Sequence, residues 1–140
     1  MKKIIYSAII TAFFVTACKK DPECTTSTST LSAAYKITSV RYQMTPALAE
    51  SDYFNLLFPD PCDRDNLYTF KENGSYTITD AGTICSPSGD DSGTWSLTGT
   101  TMTVDGDPVA IESFDCKTLV LVNTDTQVAG DKLKLILTKQ

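Results

Sequence analysis

Two tight turns between alternating apolar and polar residues constrain the fold of this chain more than any other feature of its sequence. Residues 71–75 (KENGS) fit a three-residue hairpin turn with Gly74 in the left-handed region, and Gly99 begins a two-residue type II′ turn. Both turns bring apolar side chains opposite one another on one face: Phe70 and Tyr76, Tyr68 and Ile78, Leu97 and Met102, and Trp95 and Val104. This period of two is typical of a half-buried antiparallel sheet.

The same alternation predicts eight strands, at residues 34–43, 64–71, 75–80, 93–98, 101–105, 109–114, 118–124 and 132–139. In the first strand, Tyr35 and Ile37 are out of phase with Val40 and Tyr42, and a β-bulge near Thr38 and Ser39 would restore the phase. Eight short strands joined mostly by tight turns predict an all-β fold. We expect an eight-stranded antiparallel up-and-down barrel, because closure removes exposed strand edges.

One short helix is predicted between the first and second strands. Thr45 suits its N-cap and Pro46 its first position, whereas Pro59 and Pro61 end it. Four residues of this segment form one apolar stripe at helical spacing: Ala49, Tyr53, Leu56 and Leu57. We expect the helix, residues 46–58, to cover the barrel opening; the alternative is packing on the outer wall, against Val120, Val122 and Ile136.

The first 17 residues have the pattern of a secretion signal, with Lys2 and Lys3 before an apolar stretch too short to span a membrane. Residues 15–18 (VTAC) resemble the bacterial lipobox, which implies a diacylglycerol on Cys18; an ordinary secretory signal is the alternative. The sequence thus divides into a lipoprotein signal peptide (1–17), a lipidated flexible tether (18–30) and a folded domain (31–140). Cys18 is followed by Lys19 and not by the Asp that would resemble the inner-membrane retention signal of enteric bacteria. This difference favours an outer-membrane lipoprotein in the cell envelope, periplasmic or surface-exposed.

Composition excludes several function classes. The sequence contains no His, which removes His-based nucleophilic catalysis and His-ligated metal sites, and its net charge of −5 argues against nucleic-acid binding. No nucleophile–base pair, phosphate-binding Gly loop or acid–base pair of carboxylates stands out in the sequence either, so we expect no catalytic residue, metal or cofactor, and a protein that is not an enzyme. Five aspartates could bring oxygen ligands for Ca²⁺ to one end of the barrel, although solvated loop carboxylates are the preferred interpretation: Asp60, Asp63, Asp65, Asp90 and Asp91.

Three segments resemble the lipocalin-like domains of Bacteroidetes lipoproteins: residues 31–40 (LSAAYKITSV), 70–76 (FKENGSY) and 93–97 (GTWSL). The similarity extends from about Leu31 to Gln140 and departs from the pattern at Ala33 and Tyr35, which stand in its Gly and Trp positions. The resemblance implies an eight-stranded barrel whose interior can hold a small apolar ligand.

The inward-facing aromatic residues are the candidate ligand contacts, together with two residues of the predicted helix: Tyr35, Phe70, Tyr76 and Trp95, with Tyr53 and Leu57. Packing in a filled core is the alternative interpretation of these side chains. Two functions remain open at this point. One is a membrane-anchored lipocalin-like lipoprotein that binds a small apolar ligand; the other is a filled-barrel surface or periplasmic interaction protein, such as a protease inhibitor or assembly accessory, with a protein partner.

Four cysteines remain if Cys18 is lipidated, and four cysteines allow three disulfide pairings. In an up-and-down barrel, successive connections alternate between the two ends. This alternation places Cys62 with Cys85 at one end and Cys24 with Cys116 at the other. Any other pairing would have to cross the ~20 Å length of the strands. We therefore predict these two disulfides, the alternative being reduced or metal-binding cysteines.

Overall fold

A computed structural model describes residues 24–140, so the predicted signal peptide and Cys18 lie outside the described residues. Nine antiparallel strands form a single sheet: β1 (Ala34–Gln43), β2 (Ser51–Asp52), β3 (Leu67–Phe70), β4 (Ser75–Thr79), β5 (Asp91–Thr98), β6 (Thr101–Val104), β7 (Asp107–Phe114), β8 (Thr118–Thr124) and β9 (Lys132–Lys139). Helical structure is limited to α1 (Thr28–Leu31), α2 (Phe54–Leu57) and a 3₁₀ turn (Pro61–Arg64) in this part of the chain. The all-β fold class is confirmed.

The sheet closes into a ring because β1 pairs with strands on both of its sides. On one side, β1 pairs with β9 along nearly all of its length, from Tyr35 opposite Lys139 to Gln43 opposite Lys132. On its other side, β1 meets β3 through only two register pairs, Ala34 with Thr69 and Tyr35 with Tyr68. The eight predicted strands make up the ring in sequence order, and the two-residue β2 is an addition that pairs with the end of β1.

The hairpin registers are those predicted from the sequence. Phe70 lies opposite Tyr76 in the first hairpin, and Trp95 lies opposite Val104 in the second. Gly74 and Gly99 both have positive φ, 82° and 61°, as the two turn types require. The β-bulge is also confirmed, since the register of β1 against β9 shifts between Ile37 and Ser39.

Connections alternate between the two ends of the ring. We call one the loop end: it carries the β1–β3, β4–β5, β6–β7 and β8–β9 connections. The other, the Cys24 end, carries the chain before β1, the β3–β4, β5–β6 and β7–β8 turns and the C-terminal residue. The Cys24–Cys116 disulfide lies at the Cys24 end, with Cα atoms 5.6 Å apart, and the Cys62–Cys85 disulfide lies at the loop end, with Cα atoms 5.4 Å apart. This is the pairing expected from the alternation of the turns.

The prediction of a helix over residues 46–58 is wrong. Only Phe54–Leu57 is helical, and Ser51–Asp52 is a strand. Because β3 covers only the first two residues of β1, the rest of that edge of β1 would otherwise be unpaired; β2 covers part of it, with Asp52 opposite Arg41. This need for an edge partner overrides the helical spacing of the apolar residues.

Residues 24–30, the described part of the predicted flexible tether, are held in place by local structure and a disulfide. Cys24 is held by its disulfide, and Thr28–Leu31 forms one helical turn. Ser27 is the N-cap of that turn and forms a capping box with Thr30, which explains how a Ser/Thr-rich stretch can be helical. Leu31 follows and is fully buried in the core. None of the helices in residues 24–140 has the length and hydropathy to cross a membrane.

Candidate functional site

A cavity of about 330 Å³ lies inside the ring. Its lining is mainly aliphatic and comes from six of the ring's strands and the β6–β7 connection: Ile37, Tyr68, Phe70, Val104, Asp105, Asp107, Pro108, Val109, Leu121, Asn123, Leu135 and Leu137. This volume lies at the lower end of the ~300–1,000 Å³ typical of small-molecule pockets. The interior of the ring is therefore only partly filled by its own side chains.

The pleat of the strands determines which residues face this cavity. Along β9, Leu135 and Leu137 line the cavity, whereas Ile136 between them does not. Leu121 follows the same rule on β8 and lies directly opposite Leu135. Since side chains two apart share a face of the sheet, the period of two that predicted the strands also selects the cavity wall.

Polar groups occur at the rim of the cavity, on the loop end of the ring. Asp105 in the β6–β7 connection and Asp107 at the start of β7 are exposed, and Asn123 near the end of β8 is half-buried. The site thus combines an apolar chamber with a polar, acidic rim. That arrangement can hold the apolar body of a ligand and leave a polar group of the ligand in contact with water.

Asp105 is held rigidly at this rim. Its backbone has φ 51°, and its carboxylate accepts hydrogen bonds from the Tyr76 hydroxyl and, at 2.8 Å, from the Thr94 amide. A side chain at Gly93 would overlap this carboxylate, so the strand approaches Asp105 closely only because residue 93 is glycine. The hydrogen bond from Tyr76 lowers the pKa of Asp105, and the same bond, with burial, raises the pKa of Tyr76 to about 12.

Of the six predicted ligand contacts, only Phe70 lines the cavity. Phe70 is also the centre of a buried aromatic cluster, with ring centroids 6.0 Å from Tyr35, 6.0 Å from Tyr76 and 5.4 Å from Trp95. The Trp95 indole donates to the backbone oxygen of Lys71 at 2.9 Å. These other three aromatic side chains pack one part of the ring interior, beside β1, β3, β4 and β5, and do not line the cavity.

The two predicted ligand contacts in the β1–β3 connection, Tyr53 and Leu57, do not line the cavity. Tyr53 is half-buried and stacks on Tyr42 with a centroid distance of 4.6 Å. Leu57 is 46 % exposed and Leu56 is 69 % exposed, so the predicted apolar stripe does not exist. Tyr53, Phe54 and Phe58 are the residues of this segment that pack against the core.

Sequence reasoning missed the aliphatic residues of the cavity wall. Val104, Val109, Leu121 and Leu135 carry no individual signal of binding, because a filled core would show the same alternation. The available signal is the size of the opposing side chains. Most of the large aromatic side chains in the ring lie on β1, β3, β4 and β5, whereas the buried residues of β7–β9 are aliphatic, which leaves space on that side of the ring.

A second, larger cleft of about 590 Å³ lies at the loop end beside the Cys62–Cys85 disulfide, with Asp60 and Asp63 on one wall and residues 83–87 on the other. Cys62, Asp63 and Cys85 lie close enough to suggest a metal site. Both sulfur atoms are in the disulfide, however, and supply no thiolate to a metal. This cluster is therefore structural.

The family comparison agrees with this architecture. The lipocalin-like domain family has a model that matches residues 31–121, which extends from α1 into β8 and includes most of the cavity wall. No curated protein matches the chain. The last strand, β9, lies beyond the matched residues, yet it closes the ring between β8 and β1 and contributes Leu135 and Leu137 to the cavity. The chain belongs to the family of lipocalin-like domains.

Proposed function

We propose that this protein is a membrane-anchored carrier that binds a small apolar molecule inside the ring, without catalysing a reaction on it. The observation that carries the proposal is the cavity of about 330 Å³ with its aliphatic wall. Removal of apolar surface from water is the driving force for such a ligand, at about 25 cal/mol per Å² buried. The cavity suits a ligand with one alkyl chain or one to two rings.

The membrane anchor is part of the same proposal. The resemblance of residues 15–18 to a lipobox supports lipidation of Cys18, which lies six residues before Cys24. Six residues span at most about 20 Å when fully extended. A lipid on Cys18 would therefore keep the Cys24 end of the ring close to the bilayer of the outer membrane, with the cavity rim at the loop end directed away from it.

A cavity-filling variant tests ligand binding. Leu135→Phe adds volume to the cavity wall, so we expect it to weaken binding of the fluorescent apolar probe N-phenyl-1-naphthylamine at least tenfold. Ile136→Phe is the matched control, because the neighbouring residue on the same strand faces away from the cavity. Fluorescence titration of the purified proteins measures both affinities. Equal probe binding by the two variants, or none by the wild type, would contradict the proposal.

The anchor is tested separately. Cys18→Ser should abolish incorporation of radiolabelled palmitate and release the protein from the membrane fraction, because each buried CH₂ of an acyl chain contributes about 0.8 kcal/mol to membrane binding. Absence of label from the wild type would show that the lipobox interpretation is wrong. The cavity proposal would stand in that case.

A second candidate function is an interaction protein, and one observation favours it. The exposed large hydrophobic residues of the described chain all lie on connections at the loop end: Met44, Leu48, Leu56, Leu57, Ile84 and Val128. A protein partner could cover such residues at the end opposite Cys24. Loss of partner binding in Leu56→Ser, with unchanged probe uptake, would support this function over the carrier.

A further inference from the structure

Three acceptor oxygens without partners belong to residues of one corner at the loop end, where β3 begins and β4 ends. Four buried side-chain polar atoms of residues 24–140 have no hydrogen-bond partner, and three of them are Asp65 Oδ1, Asn66 Oδ1 and Asp80 Oδ1. Asn66 is 7 % exposed and Asp80 is 5 % exposed. A buried polar atom that loses its partners costs about 1–3 kcal/mol, so three acceptors without a donor need a physical reason.

The sheet register places two of these residues opposite each other, and the third is the neighbour of one of them in the sequence. Leu67 pairs with Thr79 at the last step of the β3–β4 ladder, so Asn66 and Asp80 occupy the next opposite positions. Gly89 packs over both side chains: a Cβ there would lie 3.2 Å from Asn66 Nδ2 and 3.8 Å from Asp80 Oδ2. Asp65 precedes Asn66 directly in the sequence.

The second oxygen of each carboxylate is fixed by the loop above the corner. Asp80 Oδ2 accepts hydrogen bonds from the amides of Gly89 at 2.8 Å and Cys85 at 2.9 Å, whereas Asp65 Oδ2 accepts one from the amide of Thr83 at 3.0 Å. Each carboxylate is therefore oriented through one oxygen and leaves the other oxygen unpaired. The β4–β5 connection closes over the corner.

No cationic side chain of residues 24–140 forms an ion pair with these carboxylates. The salt bridges of this part of the chain join Arg41 to Asp52 and Lys134 to Glu50 and Glu112. Arg64, adjacent to Asp65, instead donates to the backbone oxygens of Phe58 and Pro59. The corner thus holds two carboxylates that no cationic side chain of the described residues neutralises, and the three Oδ1 atoms receive no hydrogen bond.

We propose that this corner binds a hard divalent cation, with Asp65 Oδ1, Asn66 Oδ1 and Asp80 Oδ1 as protein ligands. Carboxylate and amide oxygens are the ligands that Ca²⁺ prefers, and water can fill its remaining coordination positions. The cation would fasten the β4–β5 connection to the start of β3, next to the Cys62–Cys85 disulfide that joins the same two regions. This site is separate from the cavity in the ring.

Calcium titration of the purified, disulfide-bonded protein tests the site. After treatment with a chelator, addition of CaCl₂ should raise the midpoint of thermal unfolding by at least ~3 °C in a saturable manner, because the cation binds only the folded state. Isothermal titration calorimetry should give one site per chain. A midpoint that does not respond to CaCl₂ would overturn the proposal, and would mean that water alone occupies the corner.

Two substitutions at Asn66 distinguish a cation from a general effect of charge. Asn66→Asp should bind Ca²⁺ more tightly than the wild type and be less stable in the chelator, because a third carboxylate then lies in the corner without the cation. Asn66→Leu should weaken Ca²⁺ binding at least tenfold. Asp60→Asn is the control: it removes one charge from the same end of the ring and should leave Ca²⁺ affinity unchanged. Equal affinities of Asn66→Leu and the wild type would overturn the assignment, as would failure of Asn66→Asp to be stabilised by CaCl₂.

Discussion

Single carboxylates organise the connections of this protein, and Asp131 does so most completely. It is fully buried, and its oxygens accept hydrogen bonds from the Tyr42 hydroxyl at 3.0 Å and from the backbone amides of Thr126, Gln127 and Val128 at 2.7, 2.8 and 3.1 Å. Burial alone would raise the pKa of Asp131, but these hydrogen bonds outweigh it and hold the pKa well below its usual range. One ionised side chain thus fixes the whole β8–β9 connection to β1.

Lowering the pH should reduce the free energy of unfolding through protonation of Asp131. The unfolded chain takes up this proton near pH 3.9, whereas the folded protein takes it up only at lower pH. The stabilisation is therefore complete above about pH 5 and is lost progressively as the pH falls through the unfolded pKa toward the folded one. Asp131→Asn cannot accept all these hydrogen bonds, so it should be less stable than the wild type at pH 7. Urea unfolding should show this difference shrinking between pH 7 and pH 2.5, and a constant difference would contradict the assignment.

Residue 93 must be glycine because a Cβ atom there would overlap the carboxylate of Asp105. Gly93→Ala should therefore displace Asp105 from Tyr76 and Thr94 and destabilise the protein by about 1–3 kcal/mol, the usual cost of overpacking. Asp105→Gly removes the obstructing carboxylate and suits the positive φ of residue 105. In a double-mutant cycle measured by urea unfolding, the double variant should lose less stability than the sum of the losses in the two single variants. Strict additivity would show that the two residues do not conflict.

At the scale of elements, the hairpins could be predicted from the sequence and the β1–β3 connection could not. The turn at Gly74 and the alternation around it are local, so the pairing of Phe70 with Tyr76 follows from adjacent residues. The structure of Ser51–Asp52 depends on the unpaired edge of β1, a contact with a strand that ends eight residues earlier. Helical spacing of Tyr53, Leu56 and Leu57 could not reveal that competition.

The packing of the β1–β3 connection predicts that two nearby residues contribute very differently to stability. Tyr53 stacks on Tyr42 and packs against the core, so Tyr53→Ala should destabilise the protein by about 2 kcal/mol, less than for a fully buried aromatic residue. Leu57 is exposed, so Leu57→Asp should change stability by less than about 0.5 kcal/mol. Chemical unfolding measures both values. A large loss in Leu57→Asp would mean that α2 is covered by another surface in solution.

For the whole molecule, the order of the strands and the ends at which connections lie were predictable, because a meander alternates its turns. The same alternation selected the cysteine pairs. The volume of the cavity was not predictable, because it depends on how side chains from several strands fit together. Trp95 and Phe70 pack closely on one side of the ring, whereas Val109 and Leu135 face open space on the other. A sequence shows which side chains face the interior, but not whether side chains from different strands contact one another or leave a space between them.

The two disulfides pin opposite ends of the closed ring, and their loop lengths predict different contributions to stability. Cys24–Cys116 spans 92 residues and Cys62–Cys85 spans 23. In the chain-entropy model, the larger loop restricts the unfolded chain more, by about 4.6 kcal/mol against about 3.4 kcal/mol. The Cys24→Ser/Cys116→Ser variant should therefore have the lower midpoint in urea, although both variants should keep the ring. Probe binding provides the control, because neither disulfide lines the cavity. A lower midpoint for the Cys62→Ser/Cys85→Ser variant would show that native contacts of the β4–β5 connection, and not loop length, determine the order.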